Sequence, residues 1–254
     1  MSTSEKQNDL KTQDQASEEP IEARPQERAY RSTYERIFLP VGFFVAKFGI
    51  TANAVSLLGV LLAVVSVFVF YLSRNGEYMF LYLALVVMAI SSFMDMIDGS
   101  VARANKLKGK PMTRFGSLWD PVMDRYGEAF YVIGMVLSGY VPGDWGLFCF
   151  LGMIMASYSR ARAESLGPAK DGQPLFISAG IERKEKITLL AIGATLEAII
   201  IHVGLDASWP YFDYLGTQIG PMAIAVMLVA ILSHIATYQR VMIAKKFLDE
   251  LPPK

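Results

Sequence analysis

DMIDGSVARANKLKGKPMTRFGSLWDPVMD, residues 95–124, places four aspartates at the margins of two apolar stretches. Asp95 and Asp98 are three residues apart, and Asp120 and Asp124 four apart, so on helices each pair shares a face. Gly99 and Gly116 sit beside the pairs, and glycine lets a backbone or a ligand approach closely. Two antiparallel helices joined by a short basic loop would bring both pairs to one depth. Carboxylates gathered in a partly dehydrated place repel one another unless a cation lies between them. With no histidine or cysteine nearby, the oxygen-only set favours a hard ion, Mg²⁺ or Mn²⁺, over zinc. A pair of such ions is suited to gripping phosphate oxygens while a nucleophile and a leaving group exchange. Two other readings stay open on these residues alone. Aspartates at helix ends serve as caps, and a carboxylate lattice also serves a divalent-cation transporter or a proton relay.

Around this stretch the chain reads as an all-α integral membrane protein. It is 53% hydrophobic, and residues 52–73 carry no charge over a length that covers a bilayer core. Apolar runs give six spans, roughly 52–73, 78–103, 117–140, 144–165, 186–203 and 217–242. Residues 1–30 are polar and mixed in charge, which predicts a disordered tail and no cleavable signal. Residues 31–48, with Phe38, Phe43, Phe44 and Phe48 and an interruption at Pro40, predict an amphipathic helix lying at the membrane interface. Residues 49–247 form the six-helix domain, and 248–254 a C-terminal tail. Lysine and arginine cluster between spans two and three, between four and five, and at the C-terminal end, while Arg74 stands alone in the other connections. Both termini and both basic loops are therefore expected in the cytoplasm. The lone Cys149 excludes a disulfide framework and a thiolate metal site, and zero net charge gives no sign of nucleic-acid binding.

A second basic cluster bears on the substrate. SYSRARAESLG (157–167) ends span four, GIERKEKI (180–187) precedes span five, and TYQRVM (237–242) ends span six. Arginines from three spans at one depth make a pocket for a polyanion such as a phosphate monoester. Taken singly, each is also open to the reading of an ordinary positive-inside residue. Glu197, one turn from the outer boundary of span five, has no function legible in the sequence.

The run Asp95-x2-Asp98-Gly99-x2-Ala102-Arg103, followed by Gly116-x3-Asp120-x3-Asp124, resembles the signature of the CDP-alcohol phosphotransferases, six-span enzymes of phospholipid synthesis. Twelve residues separate Arg103 from Gly116 where the family pattern has eight, which lengthens the loop. The resemblance implies that an alcohol oxygen attacks the lipid-bearing phosphate of a CDP-linked donor and that CMP leaves. It implies two metal ions held by Asp95, Asp98, Asp120 and Asp124, with Asp124 also the base for the hydroxyl proton. Donor contacts would fall to Asp98, Gly99, Ala102, Arg103, Thr113 and Gly116, and to Thr51 and Asn53 in GITANAVS, where Ala52 replaces a common proline. The 157–164, 182–186 and 239–240 stretches are similar to the subgroup that uses inositol phosphate as acceptor. By that likeness Ser157, Arg160, Arg183 and Arg240 hold the acceptor's phosphate; Lys186 stands where a second arginine is usual. A homodimer is implied, as are a CDP-diacylglycerol or CDP-archaeol donor and surrounding membrane lipids. Glycerol 3-phosphate is the alternative acceptor.

Overall fold

The structure, a computed structural model, describes residues 37–109, 113–166, 180–205 and 210–249. The expected tail at 1–30, and most of the one at 248–254, lie outside them. Helix α1 spans Ile37–Lys47, inside the expected interfacial segment, of which 31–36 are not described. Six longer helices follow: α2 (Ala52–Leu72), α3 (Tyr78–Leu107), α4 (Arg114–Leu137), α5 (Gly143–Leu166), α6 (Arg183–His202) and α7 (Pro221–Asp249). They stand where the six apolar runs stood, with ends moved by a few residues. Three, covering Ala52–Asn75, Tyr78–Leu107 and Pro221–Asp249, are long and apolar enough to cross a membrane on length and composition. The other three carry their charges inside the helix: Asp120, Asp124, Arg125 and Glu128 in α4, Arg160 to Glu164 in α5, and Lys186 and Glu197 in α6.

α2 packs on α3 and α4, α7 packs on α5 and α6, and α3–α6 and α4–α5 contacts join the two groups. The core is continuous across them, with Phe70, Leu81, Met88, Met135, Met153, Leu190 and Met222 fully buried. α3 and α4 themselves barely touch. The aspartate-bearing helices are therefore not a packed antiparallel pair, as their short connection predicts; α2 fills the space between them. α1 crosses α3 closely enough that a Cβ at Gly42 would strike the Ser100 carbonyl. Val41, Val45 and Ala46 of α1 thereby reach Val55, Ile97 and Val101.

One expectation is corrected at the far end. Residues 217–220 do not begin the last span: Phe212–Tyr214 pairs antiparallel with Thr217–Ile219. The two-residue connection has Leu215 and Gly216 both at positive φ, the geometry of a tight hairpin. α7 then starts at Pro221, a residue suited to a first helical position. Glu197 finds its role here. Its carboxylate, 1% exposed, accepts from Tyr211 Oη at 2.8 Å and from the Met222 backbone N–H at 3.1 Å. It thus caps the N-terminus of α7, where negative charge also complements the helix dipole. Glu197→Leu leaves both donors unsatisfied in an apolar setting and is expected to cost about 2 kcal/mol, lowering the melting temperature in detergent by about 5 °C. Glu197→Gln, which keeps an acceptor, should lose less; equal melting of wild type and the leucine variant would remove the cap from the account.

Candidate active site

α2 and α4 begin side by side. Thr51 Oγ1 accepts from the Ala54 N–H at 3.2 Å and Thr113 Oγ1 from the Gly116 N–H at 3.0 Å, so each threonine caps its helix. Trp119 Nε1 donates to the Asn53 carbonyl at 3.2 Å, and a Cβ at Gly116 would lie 3.5 Å from Asn53 Oδ1. Two helix N-termini thus face one place, a setting that favours phosphate oxygens. The sequence-based donor contacts Thr51, Asn53, Thr113 and Gly116 are together. Gly99, Ala102 and Arg103 follow Asp98 on α3 within about a turn and a half, all partly buried.

Next to this junction, one oxygen each from Asp95, Asp98 and Asp120 lie within 4.8 Å of one another. Asp98 is buried, Asp95 half-buried and Asp120 exposed, giving the group one wet edge. Asp98 Oδ2 accepts from Ser56 Oγ at 2.6 Å, which fixes that carboxylate from α2. A convergent, oxygen-only donor set open on one side fits a hard divalent cation. Asp124 adjoins the trio beside Asp95 and shares Arg183 with it. Arg183 Nη1 lies 2.8 Å from Asp95 Oδ1 and 3.0 Å from Asp124 Oδ1, joining the two carboxylates. A small cavity of about 20 Å³ lies among Ser56, Asp95, Asp98, Asp124 and Arg183.

The four residues expected to hold the acceptor's phosphate separate into three settings. Ser157 Oγ accepts from Arg125 Nη1 at 2.6 Å and donates to the Met153 carbonyl at 3.2 Å. Arg240, 7% exposed, donates through Nη1 to the carbonyl of the adjacent Ala156. Arg160 pairs along α5 with Glu164 at 2.9 Å, both about one-third exposed. Arg183 reaches away from this group to the aspartates. Sequence reasoning missed Ser56, Arg125 and Glu128. Glu128, 2% exposed, takes a hydrogen bond from Arg125 Nη1 at 2.9 Å. It also sits 3.1 Å from Arg183 Nε, as an ion pair out of hydrogen-bond alignment. The signal was present: Asp120, Asp124 and Glu128 form one i, i+4 ladder on α4. Neither histidine is a candidate ligand. His202 stacks on Tyr78, and His234 stacks on Phe148.

Residues 49–248 match the family profile described as CDP-alcohol phosphatidyltransferase. The chain belongs to that family. Among relatives of this phosphatidyltransferase, it is 32% identical over 210 residues to the archaetidylinositol phosphate synthase of Pyrococcus horikoshii, covering 82% of this chain and 91% of that protein. To the phosphatidylinositol phosphate synthase of Streptomyces avermitilis it is 26% identical over 222 residues, covering 85% and 81%. A crystal structure of the Mycobacterium tuberculosis phosphatidylinositol phosphate synthase with CDP-DAG bound shares the fold. The TM-score is 0.62 at 21% identity, over 86% of this chain and 98% of that one. A second structure of that protein, in complex with manganese and citrate, superposes equally well, with a TM-score of 0.62. The protein is thus a multi-pass membrane enzyme of phospholipid synthesis, and the cation-transport reading is set aside.

Proposed function

We propose that this phosphatidyltransferase moves a phosphatidyl-type group from a CDP-lipid, CDP-diacylglycerol or CDP-archaeol, to a hydroxyl of inositol phosphate, releasing CMP. One observation carries the reading. Arg183 touches Asp95 and Asp124, and it also meets Glu128, whose other partner Arg125 reaches Ser157. The carboxylate site and the basic pocket are thereby contiguous, as transfer to a phosphorylated alcohol requires. The relatives at 32% and 26% identity, named for inositol phosphate lipids, favour the same acceptor.

In this reading Asp95, Asp98 and Asp120 would hold divalent cations, Mg²⁺ or Mn²⁺ and two in number, with Asp124 as a further ligand. Bound metal supplies charge neutralisation at the donor's diphosphate. Ser56 keeps the Asp98 carboxylate oriented. The capped starts of α2 and α4 offer backbone N–H groups to the nucleotide end, and Gly99, Ala102, Arg103 and Gly116 complete the donor's surroundings. Asp124 takes the proton of the attacking hydroxyl. Ser157, Arg160, Arg183 and Arg240 hold the acceptor's phosphate. Six spans, an interfacial α1, cytoplasmic termini and active site, and a homodimer belong to the same proposal.

The experiment is CMP release by purified protein in nanodiscs with Mg²⁺, offering CDP-diacylglycerol and CDP-archaeol against a panel of alcohols. Release with inositol 1-phosphate is expected. Release with glycerol 3-phosphate alone would keep the chemistry and reject the acceptor. Arg240→Ala is expected to raise the KM for inositol 1-phosphate about tenfold, the loss of one charge-assisted contact, with the donor KM within about twofold. A larger rise in the donor KM would move Arg240 out of the acceptor pocket.

A further inference from the structure

Glu128 is a buried charge to which the proposed reaction gives no task. A carboxylate 2% exposed is expensive unless it is paired and hydrogen-bonded. One partner would satisfy that need. Glu128 engages two arginines from different helices, Arg125 of α4 through Oε2 and Arg183 of α6 through Oε1. Lys186, one turn beyond Arg183 and only 3% exposed, also lies within its electrostatic reach, with Arg240 and Arg125 nearby.

The consequence falls on Arg125. Its Nη1 is shared between Glu128 at 2.9 Å and Ser157 Oγ at 2.6 Å. The guanidinium is therefore clamped between α4 and α5, beside the turn whose Ala156 carbonyl receives Arg240. Both hydrogen bonds use the same nitrogen, so among the described residues the Nε–Nη2 edge faces no hydrogen-bond acceptor. That edge is the planar fork suited to a phosphate. Without Glu128, an arginine on a rotamer-rich stem would spread over several orientations, and an incoming anion would have to order it.

We propose that Glu128 is a positioning residue of the acceptor site, holding Arg125 against Ser157 so that Arg125 presents its guanidinium edge to the acceptor's phosphate. The inference rests on the inositol phosphate reading and adds a ligand and its support to it. An acceptor without phosphate would gain nothing from the arrangement.

The test is steady-state CMP release by the full-length protein in nanodiscs, with inositol 1-phosphate and CDP-lipid varied separately. Glu128→Gln and Arg125→Ala are each expected to raise the inositol 1-phosphate KM about tenfold or more, with the CDP-lipid KM within about twofold. Glu128→Asp should recover part of the loss. Because one residue acts through the other, the double variant should be little worse than Arg125→Ala alone. Unchanged acceptor KM in Arg125→Ala, a parallel rise of both KM values, or additive losses would each overturn the proposal. If Glu128→Gln is not recovered as folded protein, the Arg125→Ala and Ser157→Ala acceptor KM values decide it by the same criteria. Failure of wild type to use inositol 1-phosphate would overturn the acceptor reading together with this inference. Turnover with unaltered variant KM values would remove the inference alone.

Discussion

Asp124→Asn is expected to lower CMP release about 10³-fold, within the range assigned to a positioned general base, while CDP-lipid binding stays within about fivefold of wild type. Asp124 sits at the edge of the acid group, beside its convergent trio and not within it. Asp95, Asp98 and Asp120 converge within 4.8 Å; Asp124 lies one helical turn past Asp120 and shares Arg183 with Asp95, at 3.0 Å and 2.8 Å. A carboxylate beside the trio, in contact with the guanidinium that borders the basic pocket, is where an incoming hydroxyl would meet it. Asparagine keeps the shape and the contact with Arg183 but cannot take a proton. Asp95→Asn should behave otherwise, since Asp95 belongs to the trio and its loss would weaken metal and donor together. Binding of CDP-lipid measured with both variants, beside single-turnover CMP release, separates the cases. Equal loss of donor binding in both would remove Asp124 from the role of base.

How far the sequence carries follows from what sequence periodicity can express. The aspartate pairs were legible because i, i+3 and i, i+4 spacing on a helix is a local property, and each pair does share a face. What stands between helices was not. Ser56 lies 42 residues from Asp98 in the chain, and its role rests on α2 filling the gap between α3 and α4. Its neighbours in sequence put Arg183 in the basic cluster, and only the structure adds that its side chain extends to Asp95 and Asp124. No local pattern encodes the direction of a long side chain at a helix start. Glu128 is a different case, since its place on the Asp120–Asp124 ladder could have been seen. It was hidden by sitting in an apolar run, where a single acid is easily taken as part of the span. The hairpin at 212–219 was masked by aromatic residues that also suit a membrane boundary. Glu197 became intelligible only once the start of α7 lay beside it.

The second large effect sets stability against function at Asp98. Its carboxylate is 5% exposed, held by Ser56 at 2.6 Å, and within 4.8 Å of oxygens from Asp95 and Asp120. Gathering like charges in a partly dehydrated place costs free energy in the metal-free protein. Asp98→Asn removes one of those charges and keeps an oxygen for Ser56. In chelator-treated buffer it should therefore melt about 2–4 °C higher than wild type, the shift expected from about 1 kcal/mol of relieved repulsion. With metal the order reverses. The amide is a weaker ligand for a hard cation, so Mn²⁺ affinity measured by titration should fall about 100-fold and CMP release should become undetectable. Ser56→Ala leaves the carboxylate but frees its orientation, and should weaken Mn²⁺ by about tenfold, the lower end of what supporting residues contribute. A misfolded Asp98→Asn protein would melt lower in both buffers, so the opposite signs distinguish a lost ligand from lost structure. Unaltered Mn²⁺ affinity in Asp98→Asn would mean that this cluster is not where the metal binds, and the three carboxylates would then revert to helix-end residues gathered by packing.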